Sequence, residues 1–342
     1  MAQNITLMGA SYEDVPAVEL PKTGGGTARF DDTTDANAEA ADIASGKTAY
    51  VNGVKVTGTG SGGGGGSDAE DGIIMRTISG SYVNSRVTEI GGYAFAYCSS
   101  LSTVSFPAAT TIRSSAFYNC SKLTTTSFPA ATDIGSYAFA NCTSLTSVSF
   151  PSVTNIEQGA FLGCSSLTTM FFPAVNDIRN SAFQSCRNLV TVSFPMVRTV
   201  WVNTFACCTS LTTALFTTAS SIAGYAFSSC TKLTTISFPN VKSIGSFAFA
   251  SCVNLAIASF PMLTSISGTA FHRCLRLVSL YLMGSTVVNL AGSNAFSSTP
   301  IAGYSASAGQ VGSIYVPASL LSSYKTKTNW TYFSSRFVGV EE

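Results

Sequence analysis

The stretch YAFANCTSLTSVSFP, residues 137–151, sets a cysteine between an Ala-Phe pair and a run of hydroxyl side chains, and read alone it looks like a reactive site. The rest of the chain removes that impression. Cys142 belongs to a series that starts at Cys98 and returns every 22 residues through Cys120, Cys164, Cys186, Cys208, Cys230 and Cys252 to Cys274. Nine members of such a ladder do not pair off into disulfides, and the tenth cysteine, Cys207, is only the neighbour of Cys208. Each ladder cysteine is therefore read as a small, buried, reduced core residue.

Other columns keep the same period. One apolar column runs from Ile90 to Ile266 with Val200 inside it, a second from Phe95 to Phe271, a third from Leu101 to Leu277, and a fourth from Phe106 to Phe260. A proline follows each member of the last column except Phe216, where Thr217 stands. One unit reads L-x-x-V-x-F-P-x-x-x-x-I-x-x-x-A-F-x-x-C-x-x. The V-x-F end alternates apolar and polar residues, as a short half-buried strand does, and the proline ends it because it has no N–H for a further rung. A-F-x-x-C reads as a tight helical or turn-like return. No unit buries its apolar columns alone, so the units stack into a solenoid with one short parallel strand each. Nine units cover residues 90–290, a rod of about 40 Å at the usual strand spacing.

Composition narrows the function. The 18 Lys and Arg residues nearly balance the 17 Asp and Glu, and only 10% of the chain is charged, against 46% apolar and 11% aromatic residues. That leaves no basic face for nucleic acid or anionic lipid, and water is met by Ser, Thr, Asn and Gly. The first twenty residues lack the basic and apolar regions of a secretory leader, and no apolar run is long enough to span a membrane, so neither is expected.

The chain before the solenoid is a different object. SGGGGGS (61–67) is a flexible linker by composition, and DAED (68–71) keeps the joint solvated. Residues 1–60 then form a small α+β module, 61–72 the linker, 73–89 an N-terminal cap and 291–342 a C-terminal cap. Within the module, DANAEAADIASG (35–46) suits a short helix, and TAYVNGVKVTG (48–58) sets Asn-Gly between two β-prone runs, the signature of a two-residue hairpin. A module this small is expected to fold on a partner or as a homo-oligomer.

FPAATDIGSYAFANCTSL (128–145) resembles the BspA-like leucine-rich repeats of bacterial surface proteins, and the likeness extends over residues 90 to about 290. It implies a leucine-rich repeat solenoid with an adhesive role. Phe before the proline departs from the family's usual Leu and widens the core. IYVPASLLSSYKTKTNWTYFSSRF (314–337) resembles the C-terminal closure of such arrays; its own pattern is a strand, a proline and one or two amphipathic helices that turn Leu320, Leu321, Tyr324, Trp330 and Phe333 toward the last coil. YEDVPAVELPKTGGGTARF (12–30) with AADIASGKTAYVNGVKVTGT (40–59) resembles the N-terminal segments of bacteriophage tail and tail-fibre proteins. That second resemblance implies a virion structural protein, assembled in the host cytoplasm, that docks other virion proteins through residues 1–60 and presents the solenoid to a host surface protein or glycan. The alternative is a bacterial cell-surface adhesin.

Chemistry is sparse. His272 is the single histidine and stands at a variable position of its return, so no Ser-His or Cys-His pair is expected, and neither catalytic residues, a cofactor nor a metal site is assigned. PKTGGGT (21–27) places its lysine before the glycines, unlike a phosphate loop. Recognition by the surface remains. The outward strand positions are Ser or Thr, such as Thr103 with Ser105 and Ser147 with Ser149; the exceptions are Phe171, Leu215, Ile257 and Tyr281. Trp201 stands where other coils have Gly91, Gly135 or Gly245. These five are the candidate ligand contacts, since exposed aromatic and apolar anchors often carry recognition. A polar stripe, Thr111, Asp133, Asn155, Asp177, Thr199, Ser221, Ser243 and Ser265, precedes the Ile column and suits a cation, a glycan hydroxyl or a solvated turn.

Overall fold

The computed structural model describes residues 78–304 and 311–341, with six earlier strands given as backbone. Those strands form three antiparallel hairpins: Gln3–Leu7 with Ala10–Val15, Val18–Pro21 with Thr27–Phe30, and Thr48–Val51 with Val54–Thr57. In the third hairpin Val51 faces Val54; the expected Asn52-Gly53 turn lies outside the described residues. The expected helix at 35–46 and the linker at 61–72 lie outside the described residues.

From Gly80 onward the chain is a solenoid of parallel strands, and each coil contributes two of them where the sequence pattern had shown one. The longer strands stack from Gly80–Val83, in the expected N-terminal cap, through Leu101–Ser105 and its successors to Ser313–Pro317 and Phe337–Val340. The second ladder consists of two-residue strands, from Glu89–Ile90 to Asn289–Leu290. Register is held at one unit per step: Thr125 lies between Thr103 and Ser147, and Asn155 lies between Asp133 and Asp177. Two-residue strands are too short to produce an alternation in the sequence, so their only trace is the Ile column with its polar predecessor.

The four apolar columns are buried as predicted. Phe95 stacks on Phe117 at 5.0 Å and 6° and Phe117 on Phe139 at 5.1 Å and 2°, while Phe106 stacks on Phe128 at 5.5 Å and 11°. Between the two Phe columns the contacts turn edge to face, as for Phe95 with Phe106 at 5.6 Å and 61°. Parallel displaced rings within a column and edge contacts between columns are the arrangements that the aromatic quadrupole favours.

The A-F-x-x-C return is a turn, not a helix. Two residues in each return have left-handed φ, Tyr93 (58°) and Tyr97 (65°) in one coil, Tyr137 (58°) and Asn141 (60°) in another. Left-handed backbone costs an ordinary residue about 1–2 kcal/mol. The offset is a third set of intercoil hydrogen bonds: the N–H groups of Tyr93, Phe95 and Tyr97 donate to the carbonyls of Ser114, Ala116 and Tyr118 in the next coil. Glycine takes both left-handed positions at Gly159 and Gly163, and the Tyr137 ring occupies the space that a side chain on Gly159 would enter, 2.5 Å from the place of its Cβ.

Each ladder thiol from Cys120 onward has a backbone acceptor. Cys120 Sγ donates to the Phe95 carbonyl at 2.9 Å, Cys142 to Phe117 at 3.1 Å, and the series continues to Cys274 and Phe249 at 3.1 Å. The nine ladder cysteines are buried and Cys207 is half-buried, with no disulfide among the described residues. Burial pushes the Cys164 and Cys252 thiols up from 9.0 to about 12, and raises Cys142, Cys186, Cys230 and Cys274 for the same first reason.

The C-terminal segment closes the stack. Tyr324, Trp330 and Phe333 are buried, and the half-buried Leu320 and Leu321 pack beside them, as expected; Phe296 extends the Phe column by stacking on Phe271 at 5.5 Å. Side chains of this segment also take the backbone groups around the last short strand, Asn289–Leu290. Trp330 Nε1 donates to the Val288 carbonyl at 2.8 Å, Tyr324 Oη accepts from the Val288 N–H at 3.1 Å, and Asn329 Nδ2 donates to the Leu290 carbonyl at 2.7 Å. The strand Phe337–Val340, absent from the sequence reading, then pairs with Ser313–Pro317 at the end of the long ladder.

Thr126 stands in the column of Val104 and Val192, and its buried hydroxyl has no partner. Thr126→Val should raise the free energy of unfolding by about 1–3 kcal/mol, read as a higher urea midpoint at unchanged slope. In native protein, iodoacetamide should modify Cys207 before any ladder cysteine, as read by peptide mass spectrometry. The raised thiols bind protons that the unfolded chain gives up first, so the stability they contribute is complete below pH 9.0 and is lost as the pH climbs toward about 12.

Candidate functional site

Strand periodicity places the hydroxyl residues of the long ladder outward. Thr103 Oγ1 donates to Ser81 Oγ at 2.7 Å across one rung. Threonines at the edge of this face also donate to the preceding coil: Thr124 to the Ser102 carbonyl at 2.9 Å and Thr146 to the Thr124 carbonyl at 3.1 Å. Hydroxyls thus serve the scaffold as well as the solvent, and an apolar side chain in their place forgoes those bonds.

Four of the five candidate contacts lie on this ladder. Phe171, Ser193 and Leu215 share one column in register, and Leu215 is 52% exposed; the Phe171 side chain lies outside the described residues. Ile257, 39% exposed, belongs to the neighbouring column, between Thr235 and Ser279. Tyr281 is half-buried because its ring stacks on Tyr315 at 4.5 Å and 11°. Tyr315 and the exposed Val338 continue that column, and both escaped the sequence reading because the chain between Tyr281 and Tyr315 is longer than one unit.

Trp201 belongs to another face. It follows the short strand Thr199–Val200, half-buried, with its indole Nε1 donating to Asp177 Oδ1 at 3.3 Å. Arg179 pairs with Asp177 at 2.8 Å and places its guanidinium 5.5 Å from the centre of the Trp201 ring. In the same column a Cβ on Gly135 would meet the Arg113 backbone at 2.7 Å. Trp201 is accommodated where the short ladder opens, because Asp177–Ile178 and Thr199–Val200 belong to separate sheets.

The polar stripe is a bonded row in part: Asn155 Nδ2 donates to Asp133 Oδ1 at 2.8 Å, and Ser221 Oγ to Thr199 Oγ1 at 3.2 Å. His272, at a variable position of its return, is half-buried with Nδ1 at 2.8 Å from Ser297 Oγ and its ring edge-on to Phe247. Sequence reading also missed an aromatic strip on the returns, where Tyr225 is exposed and stacks on Phe247 at 4.9 Å. It occupies left-handed positions whose residue type varies from coil to coil, so no pattern announces it. The arrangement suits non-covalent contact along flat, rigid faces.

Residues 77–190 and 198–315 match the model of the BspA type leucine rich repeat region, in six copies. Among solved structures, a leucine-rich repeat protein from Bacteroides ovatus superposes with a TM-score of 0.58 at 22% identity, over 70% of this chain and 66% of that one, and shows the fold. A leucine-rich repeat protein of T. pallidum gives 0.41 at 26% identity over 53% of this chain and 79% of its own. A leucine rich cell surface protein from Faecalibacterium prausnitzii gives 0.36 at 20% identity over 78% and 88%. This chain thus spans 66% of the length of the B. ovatus protein. No curated protein matches it. These matches lend no support to the phage-tail resemblance of residues 1–60 or to a virion location.

The two tryptophans offer a direct check on this geometry. Trp330 is fully buried and Trp201 is not. Acrylamide should quench part of the native emission, and Trp201→Phe should leave blue-shifted, poorly quenched fluorescence from Trp330 alone.

Proposed function

Because this chain belongs to the BspA-type leucine-rich repeat family, we propose that it is a non-enzymatic adhesion scaffold of the bacterial-surface type, with the long-strand ladder as its docking face. The observation that supports this reading is the in-register placement of Leu215 with Phe171, two rungs apart, and of Tyr281 with Tyr315 and Val338, on a face whose other positions are mostly Ser and Thr. Apolar groups held on backbone ladders lose little freedom when a partner covers them, so the binding they give is not spent on ordering the site. The surrounding Ser and Thr supply hydrogen bonds at the rim. The partner is a surface-displayed protein or glycan.

The virion reading rests on the likeness of residues 1–60 alone, whereas the family match covers most of the solenoid. We therefore adopt the cell surface as the location. Immunogold labelling of intact producing cells tests it; signal confined to purified phage particles reverses it.

Adhesion is tested by restoring the hydroxyl pattern. Leu215→Ser with Ile257→Thr should lower binding to host-cell monolayers and a glycan array at least about tenfold, with an unchanged melting transition, since truncating an anchor typically costs more than 1 kcal/mol. Equal binding by the variant and the parent removes the long-strand face as the docking surface.

A further inference from the structure

The opening in the short ladder lies beside a cavity of about 560 Å³ lined by Asn176, Met196, Arg198, Thr218 and Ser220, side chains from three successive coils where the proline turn meets the short strands. This is the size of a small-ligand site. Arg198 is exposed and has no carboxylate partner among the described residues, unlike Arg179, which Asp177 holds. Thr218 Oγ1 donates to the Pro195 carbonyl at 2.8 Å and Ser220 Oγ to the Arg198 carbonyl at 3.2 Å, so both hydroxyl oxygens keep lone pairs to accept from a ligand. Met196, 53% exposed, adds an apolar wall.

We infer that this corner binds a saccharide bearing a carboxylate. The guanidinium of Arg198 offers the planar fork that a carboxylate accepts in two bonds. Asn176, Thr218 and Ser220 provide donors and acceptors for ring hydroxyls, and Met196 provides the apolar surface that the C–H side of a sugar ring covers. Lys242 repeats the Arg198 position two coils on, where a second acidic residue of a longer chain reaches. The shared chemistry is a carboxylated pyranose; a sialylated glycan and a uronate polymer are its two sources. The site is separate from the long-strand face and stands or falls independently of it.

Titration calorimetry on the full chain with 3′-sialyllactose, with trigalacturonate and with lactose as the neutral control tests the site. At least one acidic saccharide should bind, with lactose at least tenfold weaker. Arg198→Gln should weaken that binding by about tenfold or more, the loss expected for a charge-assisted hydrogen bond. Lys232→Gln, an exposed cation at a different corner, should leave it unchanged. Which acidic saccharide binds identifies the source. Absence of binding by both, lactose binding as tightly, an unaffected Arg198→Gln variant, or an equal loss in Lys232→Gln overturns the assignment. Circular dichroism of each variant confirms that the coils are intact.

Discussion

Everything in this solenoid depends on each coil presenting to the next the same surface that it receives. Phe95, Phe117 and Phe139 overlap almost face to face only because each ring has its counterpart one unit away at the same height. The same condition aligns three sets of backbone bonds, at the long strands, the short strands and the returns, and seats each ladder thiol from Cys120 onward on the Phe carbonyl of the coil before it. That is why the interior columns vary so little while the outward positions range from Gly to Trp. A longer unit keeps the stack only where its extra residues loop out between the columns, as they do between Tyr281 and Tyr315, which still pair in register.

An array built this way has two raw ends, and strand edges left open invite pairing with other chains. The carboxyl end solves this with side chains. Tyr324, Asn329 and Trp330 supply the hydrogen-bonding groups that another short strand would have offered to Val288 and Leu290, and the rings of Trp330 and Phe333 cover the last phenylalanine of the column, Phe296. At the amino end Tyr82 packs on Phe95 and Phe106 at 5.4 and 5.5 Å, covering the start of both Phe columns with one ring.

The solenoid was legible from period alone, since a 22-residue repeat of buried columns admits few other arrangements. The second strand was not, because Thr111–Ile112 and its equivalents are two residues long. The returns were legible only as tight: left-handed φ at Tyr137 or Phe247 has no residue signature, since the intercoil bonds and not glycine stabilise it. Of the candidate contacts, those on the long strands follow from alternation, and the structure groups them as columns. Trp201 stood out as an oddity, but its ties to Asp177 and Arg179 depend on a neighbouring coil and on the local opening of the ladder, which no single unit encodes. Tyr315 and Val338 lay past the point where the regular count ends.

The returns have one further consequence. Their two left-handed positions accept Tyr, Ser, Asn, Gly, Cys, Phe, Thr and Arg in different coils at nearly the same φ. Because the bonds that fix this geometry run through main-chain atoms, side-chain identity there is uncoupled from folding. One edge of the molecule is thereby free to drift under selection by whatever it meets, coil by coil, while the skeleton that displays it is inherited unchanged.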